Sequence, residues 1–544
     1  MKRISRRWAI KAGAALPLAG ALNAPLFARA QSAAQAPIVL RRSNGAEPDT
    51  LDPHKSSGTW EANIIGDMLL GLMTDDIKGQ PTLGSAESYS VSKDGTVYTF
   101  KVRADMNWSD GVPVTADDFV CAFQRILDPK TAAQYASLIY PVKNAQAVNA
   151  GKLPPTSVGA RAIDAKTLEV TLEGPTPYFL NLLVHHTTFP VPKHIVEKVG
   201  SDWTKPQNIE VNGAYKLVEW TPNSVIRLAK NPRFYDAQNV QIDEVRYLPI
   251  SDNRTTLARF RAGEIDCTND FPTREYANLK SGRYPEIKPS EAHVYPYVAV
   301  TYVQFNTQRV PFTDARVRRA LSLAIDRSIL TDRVLGTGQV PAYTLVPPGM
   351  ANYSGGAELD FKAWPMDKRL NEARKLLAQV GFTPDKPLTF EYRYRNNPDN
   401  ARIAIALQGM WKQIGVIVTL LNSDTAVHYN ALRTQDFAVA DAGWVADYND
   451  PQNFLFVLQS SSGQMNYGKF RNAKYDDLMD QAGRTQDVVH RSNLLHAAEQ
   501  VELDEQPVAP LFYSVSRALV RDYVKGWEDN TLNWHRTRFM RIEH

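Results

Sequence analysis

Strand and helix patterns alternate between residues 388 and 444, and this order restricts the fold more than any other feature of the chain. Three apolar runs have the length and composition of strands: LTFEYRY (388–394), VIVTLL (416–421) and FAVADAGW (437–444). Two helical patterns separate them: ARIAIALQGMWKQIG (401–415) and DTAVHYNALR (424–433). A β-α-β-α-β order predicts an α/β domain with a largely parallel sheet, whose ligands bind beyond the carboxyl ends of the strands.

The carboxylate of Asp447 falls at such a strand end and raises a question about charge. The stretch ADAGWVADYNDPQNFLFVL (440–458) contains three acids and no basic residue. Gly443 and Trp444 precede the turn YNDP, so Asp447 follows a strand that is expected to be buried. Asp447 is therefore either a solvated loop acid or a carboxylate that awaits a cation from outside this stretch.

The length of the chain, 544 residues, exceeds what one compact core accommodates, so about two or three domains are expected. TVYTFKVR (96–103) alternates in the manner of a half-buried strand. Thr115 and Asp118 have the spacing of a capping box at the start of the helical pattern TADDFVCAFQRIL. TLEVTLEGPTPYFLNLL (167–183) then predicts a strand, a proline-rich break and a short helix.

The first 30 residues are predicted to be an export signal and no part of the fold. They begin with basic residues, continue with a mildly apolar segment and end in small residues at Ala30, where cleavage is expected. SRRWAIK (5–11) fits the twin-arginine pattern, and an ordinary secretory signal is the alternative. Either signal places the mature protein outside the cytoplasmic membrane, in the periplasm.

Removal of this signal changes the charge of the chain. The signal carries six basic and no acidic residues, so the formal net charge falls from +4 to −2. The mature chain therefore gives no electrostatic support for nucleic-acid binding.

Motifs for catalysis or metal binding are missing from the sequence. It has no HExxH zinc motif and no G-x-S-x-G elbow, so an enzyme is not expected. Cys121 and Cys267, the two cysteines, cannot form a four-cysteine zinc site. They are expected to be buried free thiols, and a disulfide between them is the alternative in an oxidising compartment. His185 and His186 are expected to be structural, because neighbours on a strand point to opposite faces. No metal or other cofactor is predicted.

Six segments in order resemble the periplasmic oligopeptide-binding proteins of ABC transporters, the family 5 solute-binding proteins. These segments are NGAEPDTLDPHKSSG, NWSDGVPVTADDF, NGAYKLVEW, RFRAGEID, FNTQRVPFTDARVRRALSLAIDR and GWVADYNDPQNFL. The resemblance implies an α/β, two-lobed periplasmic-binding-protein fold of class II type, with an additional domain on the first lobe. The implied borders are residues 31–70, 196–296 and 515–544 for lobe I, 71–195 for the additional domain, and 297–514 for lobe II.

The resemblance also implies an answer to the question of Asp447. In this family the acid of the GW-x-A/G-D motif binds the free α-amino group of a peptide, and Asp447 occupies that position. Gly443, Trp444 and Val445 resemble the strand along which the peptide backbone lies, and Gly443 lets another backbone approach closely. Backbone hydrogen bonds of this kind do not depend on the peptide sequence.

The resemblance implies ligand contacts at further single positions. Gly58 and Thr59 resemble the segment that pairs with the other edge of the peptide. Tyr135 matches a tyrosine that contacts the ligand backbone, and Arg433 matches a basic residue used for some ligand carboxylates. For each of them ordinary packing or a solvated charge is the alternative.

Asp441 and Arg395 depart from the family pattern. Well-known relatives have an arginine at the position of Asp441, where it meets the carboxylate of a tripeptide. An extended strand would place Asp441 roughly 20 Å from Asp447. Arg395 replaces a neutral ligand-contacting residue and is a candidate for the missing positive charge. Alternatively, Asp441 and Arg395 pair with each other.

The predicted function is capture of short peptides with a free α-amino group and their delivery to a membrane ABC permease with its ATPase subunits. The protein is expected to be monomeric. An alternative within this class is binding of murein tripeptides for cell-wall recycling, with Asp441 facing a second ligand ammonium. A hydrolase and a binder of metal complexes are the alternatives outside it, and the second would leave the carboxylate of Asp447 buried without a cation.

Overall fold

The computed structural model of the protein describes residues 36–350 and 352–543. The predicted export signal, residues 1–30, lies outside this range. Among the described residues, no helix is both long and apolar enough to cross a membrane.

The described strands fall into three larger sheets and two short pairs. In chain order they are β1 (Val39–Ser43), β2 (Met73–Asp75), β3 (Pro81–Leu83), β4 (Ala86–Val91), β5 (Val97–Val102), β6 (Ala160–Asp164), β7 (Thr167–Thr171), β8 (Tyr215–Thr221), β9 (Val225–Lys230), β10 (Glu244–Leu248), β11 (Ala292–Phe305), β12 (Val340–Pro341), β13 (Thr389–Arg395), β14 (Ile417–Ser423), β15 (Val439–Val445), β16 (Val508–Leu519), β17 (Val524–Lys525) and β18 (Arg541–Ile542).

The helices of the described chain are short to medium in length, and a π-helical turn spans Ile329–Leu335. They are α1 (Thr59–Met68), α2 (Ala116–Leu127), α3 (Ala145–Asn149), α4 (Phe179–Leu182), α5 (Lys193–Val199), α6 (Asn253–Arg261), α7 (Tyr276–Lys280), α8 (Ala315–Leu323), α9 (Met366–Gln379), α10 (Pro398–Lys412), α11 (Thr425–Arg433), α12 (Gln452–Leu455), α13 (Ala473–Gly483) and α14 (Val488–Glu505).

The six-stranded sheet, in the order β12-β16-β11-β15-β13-β14, contains the predicted β-α-β-α-β segment. All five predicted elements form, as β13, α10, β14, α11 and β15. β13 lies between β14 and β15 and is parallel to both. The prediction of a largely parallel sheet is nevertheless wrong, because β11, β12 and β16 add antiparallel pairings. Those strands come from distant parts of the chain, so the local pattern could not reveal them.

Two four-stranded sheets account for most of the remaining strands. One has the order β1-β10-β9-β8, with β1 parallel to β10 and the other pairs antiparallel. The other, β4-β5-β7-β6, is antiparallel throughout. The predicted capping box at the start of α2 is confirmed, since the backbone N–H of Thr115 donates to Asp118 at 2.8 Å. Phe119, Phe123 and Ile126 of α2 are buried, as the helical spacing predicts.

The long strands β11 and β16 join the two halves of the molecule. Over Ala292–Pro296, β11 pairs with β16. From Val300 onwards the two strands pair again, and there β11 also pairs with β15 while β16 also pairs with β12. Between Pro296 and Val300 the pairing of β11 with β16 shifts register. The predicted borders of lobe II, residues 297 and 514, fall inside these two strands. The borders themselves stay a prediction.

Both cysteines are free thiols, as expected. Cys267 is buried, and burial raises the pKa of its thiol to about 12. Cys121 is partly exposed, so the expectation that both are buried holds for Cys267 alone.

A buried carboxyl group lies in α14, away from the cleft described below. Glu499 is 1% exposed and accepts hydrogen bonds from the backbone N–H of Val346, at 2.8 Å, and from the hydroxyl of Tyr353. Burial raises the pKa of Glu499 to about 7, although these hydrogen bonds lower it. The folded protein therefore retains a proton at pH 5–6 that the unfolded chain has lost.

This difference in proton binding predicts a pH-dependent stability. The Glu499 contribution is favourable below 4.5, the ordinary pKa of a glutamate in an unfolded chain, and is lost as pH rises towards about 7. The glutamine of Glu499→Gln cannot titrate. Between pH 5 and pH 8 the free energy of unfolding of this variant is therefore expected to fall less than that of the wild type, and the difference is up to about 3 kcal/mol. Urea denaturation at both pH values measures this difference.

The matched control is Asp504→Asn, which neutralises an exposed carboxylate of the same helix. This variant is expected to keep the pH dependence of the wild type. An identical pH dependence in Glu499→Gln and the wild type would show that Glu499 is ionised in the folded protein at pH 5.

Candidate functional site

Nine of the ten predicted site residues line one cavity of about 170 Å³. They are Gly58, Thr59, Tyr135, Arg395, Arg433, Gly443, Trp444, Val445 and Asp447. Asp441 does not line this cavity, and its side chain contacts that of Arg395 instead. The residues come from the start of α1, the loop after α2, the ends of β13 and α11, and the C-terminal end of β15. This placement does not by itself test a ligand-binding role.

The edge of β15 is incompletely paired where it borders the cavity. On one side, β11 pairs with it from Val439 to Val445. On the other side β13 pairs with it at Val439 and Ala440, and within the described chain no strand continues this pairing along residues 441–445. Backbone groups of a strand edge bind an added strand readily.

Asp441 lies where β13 separates from β15. Its carboxylate accepts hydrogen bonds from Nε and Nη2 of Arg395, both at 3.1 Å, and from the amide of Asn400, also at 3.1 Å. Burial would raise the pKa of Asp441, but the guanidinium of Arg395 lowers it. Burial likewise disfavours the charge of Arg395, and the carboxylate of Asp441 outweighs that effect and raises its pKa. Of the two alternatives for this pair, the structure has the ion pair.

Asp447 contacts a histidine that no sequence motif connects with it. Oδ1 of Asp447 lies 3.2 Å from Nε2 of His185, and its Oδ2 accepts from the amide of Asn453 at 3.4 Å. Nδ1 of His185 lies 2.8 Å from the hydroxyl of Thr187, which can donate to it. Because a carboxylate oxygen only accepts, the hydrogen bond to Asp447 requires a proton on Nε2 of His185.

His185 and His186 lie at the start of a 3-10 turn, His186–Thr188, so the expectation that they lie on a strand is wrong. Their rings are 4.2 Å apart, measured between centroids. His186 is satisfied by the hydroxyl of Ser56 at 2.9 Å, and burial, followed by the proximity of His185, lowers its pKa well below the usual value. Both histidines line the cavity, and His185 contacts Asp447. A purely structural role for His186 stays a prediction.

Asn453 and an aromatic cluster fix the loop that carries Asp447. The side-chain oxygen of Asn453 accepts from the backbone N–H of Asp447 and from the indole of Trp444, each at 3.0 Å. Tyr135 stacks on His185 at 4.9 Å and lies 6.1 Å from the ring of Trp444. Burial and the nearby carboxylate of Asp447 raise the pKa of Tyr135 well above its ordinary value, so its hydroxyl stays protonated.

The opposite wall of the cavity is shaped by Glu61. Its carboxylate accepts from the backbone N–H groups of Gly58 and Asp49 and from the indole of Trp60. Burial raises the pKa of Glu61 to about 7. A Cβ atom at Gly58 would lie 2.4 Å from both the Glu61 carboxylate and the Trp60 ring, so a larger residue here would displace these side chains.

The cations of the site differ in their partners. Arg395 is paired with Asp441 and lies over the ring of Tyr429 at 5.7 Å. Arg433, by contrast, has no acidic partner among the described residues. No group of three or more His, Cys, Asp or Glu side chains in the described chain is arranged to hold a metal ion.

Sequence reasoning missed His185, Asn453 and Glu61. Asn453 is part of the GWVADYNDPQNFL segment, and Glu61 has capping-box spacing after Gly58, so both had a local signal. His185 had none, because its contact with Asp447 joins two loops that are distant in the chain.

Comparison with known proteins places these features in a family. The model of the bacterial extracellular solute-binding proteins, family 5 (middle region), matches residues 80–466. The chain is 42% identical over 524 residues to the periplasmic oligopeptide-binding protein OppA of Salmonella typhimurium, and the match covers 94% of each chain.

Solved structures agree with this match. OppA of Haemophilus influenzae in complex with RPPGFSPFR has a TM-score of 0.89 and 34% identity, covering 93% of this chain and 99% of that one. The murein tripeptide binding protein MppA of Escherichia coli has a TM-score of 0.89 and 35% identity, covering 94% and 99%. The unliganded open form of MppA has a TM-score of 0.66 at the same 35% identity, covering 94% of this chain and 98% of that one.

These similarities confirm the predicted two-lobed fold. Since the two MppA structures differ in TM-score but not in identity, the lobes of this protein are arranged unlike those of the open form. The family match spans more than half of the chain and agrees with the six segments recognised in its sequence. The chain therefore belongs to the bacterial extracellular solute-binding proteins of family 5.

Proposed function

We propose that this protein captures short peptides with a free α-amino group for import by an ABC permease. The observation that carries the proposal is the unpaired edge of β15, which ends at a carboxylate in a closed cleft. A peptide added along this edge would place its amino terminus at Asp447. The peptide-binding OppA relatives support this function.

The carboxylate of Asp447 is suited to bind an ammonium group. Its side chain is 13% exposed, and the partners described above, His185 and Asn453, are neutral donors when the imidazole carries one proton. A largely desolvated carboxylate gains most from a cation that also donates hydrogen bonds. The α-ammonium of a peptide supplies both, and His185 keeps the carboxylate oriented towards it.

The rest of the peptide would be held through its backbone. Residues 441–445 offer an unpaired strand edge, and Gly443 has no side chain to obstruct a second strand. Gly58 and Thr59 line the cavity from the side of α1 and are proposed to contact the other peptide edge. Tyr135 and Trp444 add aromatic surface. Such recognition tolerates many side chains, because most of its hydrogen bonds go to main-chain groups.

Arg433 is the proposed partner of the carboxylate of the shortest ligands. It lines the cavity and has no acidic partner in the described chain, whereas the charge of Arg395 is compensated by Asp441. An unpaired guanidinium gains more from a ligand carboxylate than one that already has an acid beside it. Arg395 is proposed to contact the ligand from within its pair with Asp441.

Binding of a murein tripeptide is the second candidate, because the murein tripeptide binding protein MppA matches the fold as well as OppA does, each with a TM-score of 0.89. The pairing of Asp441 with Arg395 counts against one part of that idea. A second ligand ammonium near Asp441 would meet a carboxylate whose charge is already compensated. General peptide binding therefore remains the principal proposal.

Export and partners follow from the same proposal. The segment SRRWAIK in the first 30 residues is proposed to direct twin-arginine export, with cleavage near Ala30 and delivery to the periplasm. The protein would act there as a monomer and pass its ligand to a membrane permease with ATPase subunits. The extracellular character of the family and the periplasmic OppA relative support this location.

Loss of the carboxylate of Asp447 is expected to abolish recognition of the amino terminus. Asp447→Asn keeps the shape of the side chain but leaves the ligand ammonium without its buried counter-charge. Since breaking such a pair costs about 3–5 kcal/mol, trialanine should bind about 100-fold more weakly or worse. Isothermal titration calorimetry with trialanine and N-acetyl-trialanine measures this, and the acetylated peptide should bind both proteins poorly.

Asp436→Asn is the matched control, because Asp436 is an exposed acid that lines no described cavity. It should leave both affinities unchanged. If Asp447→Asn bound trialanine as tightly as the wild type does, Asp447 would not be the ammonium site.

Neutralising Arg433 is expected to weaken the binding of the terminal carboxylate of a peptide ligand. Arg433→Gln is expected to reduce the affinity for trialanine about tenfold, the effect of one charge-assisted hydrogen bond. The affinity for trialanine amide, which has no carboxylate, should stay nearly constant. Arg471→Gln, which removes an exposed arginine away from the cavity, is the control. Equal losses for the free and the amidated peptide would contradict this assignment.

Native mass spectrometry of the gently purified protein tests the ligand class directly. A mixture of short peptides with free amino termini is expected after denaturing release. A single muropeptide would favour the second candidate. Release of a compound without an amino group would overturn the proposed function.

A further inference from the structure

The cavity of the candidate site does not end at Arg395. A second cavity of about 280 Å³ adjoins it, and both are lined by Thr59, Trp60, Arg395 and Thr425. Arg395 thus stands between two compartments. We call the second one the asparagine chamber, because five asparagines line it: Asn253, Asn269, Asn396, Asn397 and Asn400.

The asparagines leave several hydrogen-bonding groups unused. Among the described residues, the side-chain nitrogens of three of them have no protein partner: Asn269, Asn396 and Asn397. The side-chain oxygen of Asn400 also has no protein partner within the described chain, whereas its side-chain nitrogen donates to Asp441. Asn253 is 3% exposed, and its oxygen is buried without any partner. Polar groups in this state favour a ligand that both donates and accepts hydrogen bonds.

The charges around the chamber compensate one another. Arg517 pairs with Asp270 at 2.8 Å and with Asp399 at 3.3 Å, and Arg395 pairs with Asp441. The chamber therefore presents neutral amide groups rather than a net charge. Neutral donors and acceptors match peptide bonds and uncharged polar side chains better than they match a terminal carboxylate.

The chamber also leads towards the surface. A third cavity, of about 440 Å³, shares Ser251, Asn396, Asn397 and Asp399 with it and includes the exposed Arg254. The three cavities are therefore neighbours: the second shares lining residues with the first and with the third.

The position of Arg395 sets a length for the first compartment. Asp447 follows Asp441 by six residues, which span up to roughly 20 Å when extended. The side chains of Asp447 and Arg395 occupy part of this span, which leaves room for about four peptide residues at ~3.3 Å each. Along α11, Arg433 lies about 12 Å from Thr425, which borders the chamber, so the shortest ligands end before Arg395.

We infer that the asparagine chamber is a second ligand compartment, which receives the carboxyl-terminal part of peptides longer than about four residues and favours uncharged polar residues there. The inference rests on the proposed peptide binding. The nine-residue peptide in the Haemophilus influenzae OppA complex is longer than the first compartment of this protein could enclose. Arg395, paired with Asp441, then marks the boundary between the two compartments rather than the end of the cleft.

The test compares tetraalanine with the hexapeptide AAAASN in isothermal titration calorimetry. Asn396→Trp places a large ring in the chamber at an exposed position, so the fold should be retained. We expect this variant to bind the hexapeptide about tenfold more weakly than the wild type does, the loss of one or two hydrogen bonds. Its affinity for tetraalanine should change less than about twofold. Asn430→Trp, at an exposed asparagine that lines no described cavity, should alter neither affinity.

Hydrogen exchange gives an independent readout. The hexapeptide, but not tetraalanine, should increase the protection of residues 251–256 and 396–400 in the wild-type protein. Unchanged hexapeptide binding in Asn396→Trp, or a wild type that binds tetraalanine and rejects the hexapeptide, would overturn the chamber and leave the proposed function intact. Failure of the wild type to bind either peptide would overturn the proposed function and the chamber with it.

Discussion

The separation of β13 from β15 at Asp441 is the structural event on which the candidate site depends. Up to Ala440 the two strands pair as neighbours in a sheet, and beyond it the edge of β15 faces a cavity. Backbone groups enclosed in this way need partners, because an unpaired buried N–H or C=O is costly. The same edge is then available to any peptide that enters the cleft, whatever its side chains.

The two acids of β15 and its following loop show how position determines the use of a charge. Asp441 lies beside the end of β13, which brings Arg395 within 3.1 Å, so its charge is compensated by the protein. Asp447 lies six residues further, where the fold supplies His185 and Asn453. Neutral donors orient a carboxylate without cancelling its charge. One acid therefore fixes the wall of the cleft, while the other remains able to attract a cation.

Much of this arrangement could be predicted from local sequence, and its limits are physical. The strands and helices between residues 388 and 444 followed from periodicity, and the start of α2 from the spacing of Thr115 and Asp118. The antiparallel β11 and β16 could not be predicted in this way, because their pairing joins distant segments. Family resemblance located Asp447, but the contact with His185 depends on how two loops meet. The sequence left the pairing of Arg395 with Asp441 open, since side-chain distances are set by tertiary packing.

The two long strands give a physical reason why a ligand can control closure. β11 and β16 run through both halves of the molecule, and their pairing is interrupted between Pro296 and Val300. A rotation absorbed at this interruption would leave the hydrogen bonds of each sheet intact. The cavity is lined by Gly58, just before α1, and by Asp447, after β15. A ligand that contacted both walls would bind a closed arrangement better than an open one, and that difference in affinity would shift the equilibrium. Contacts with one wall alone would add affinity without favouring closure.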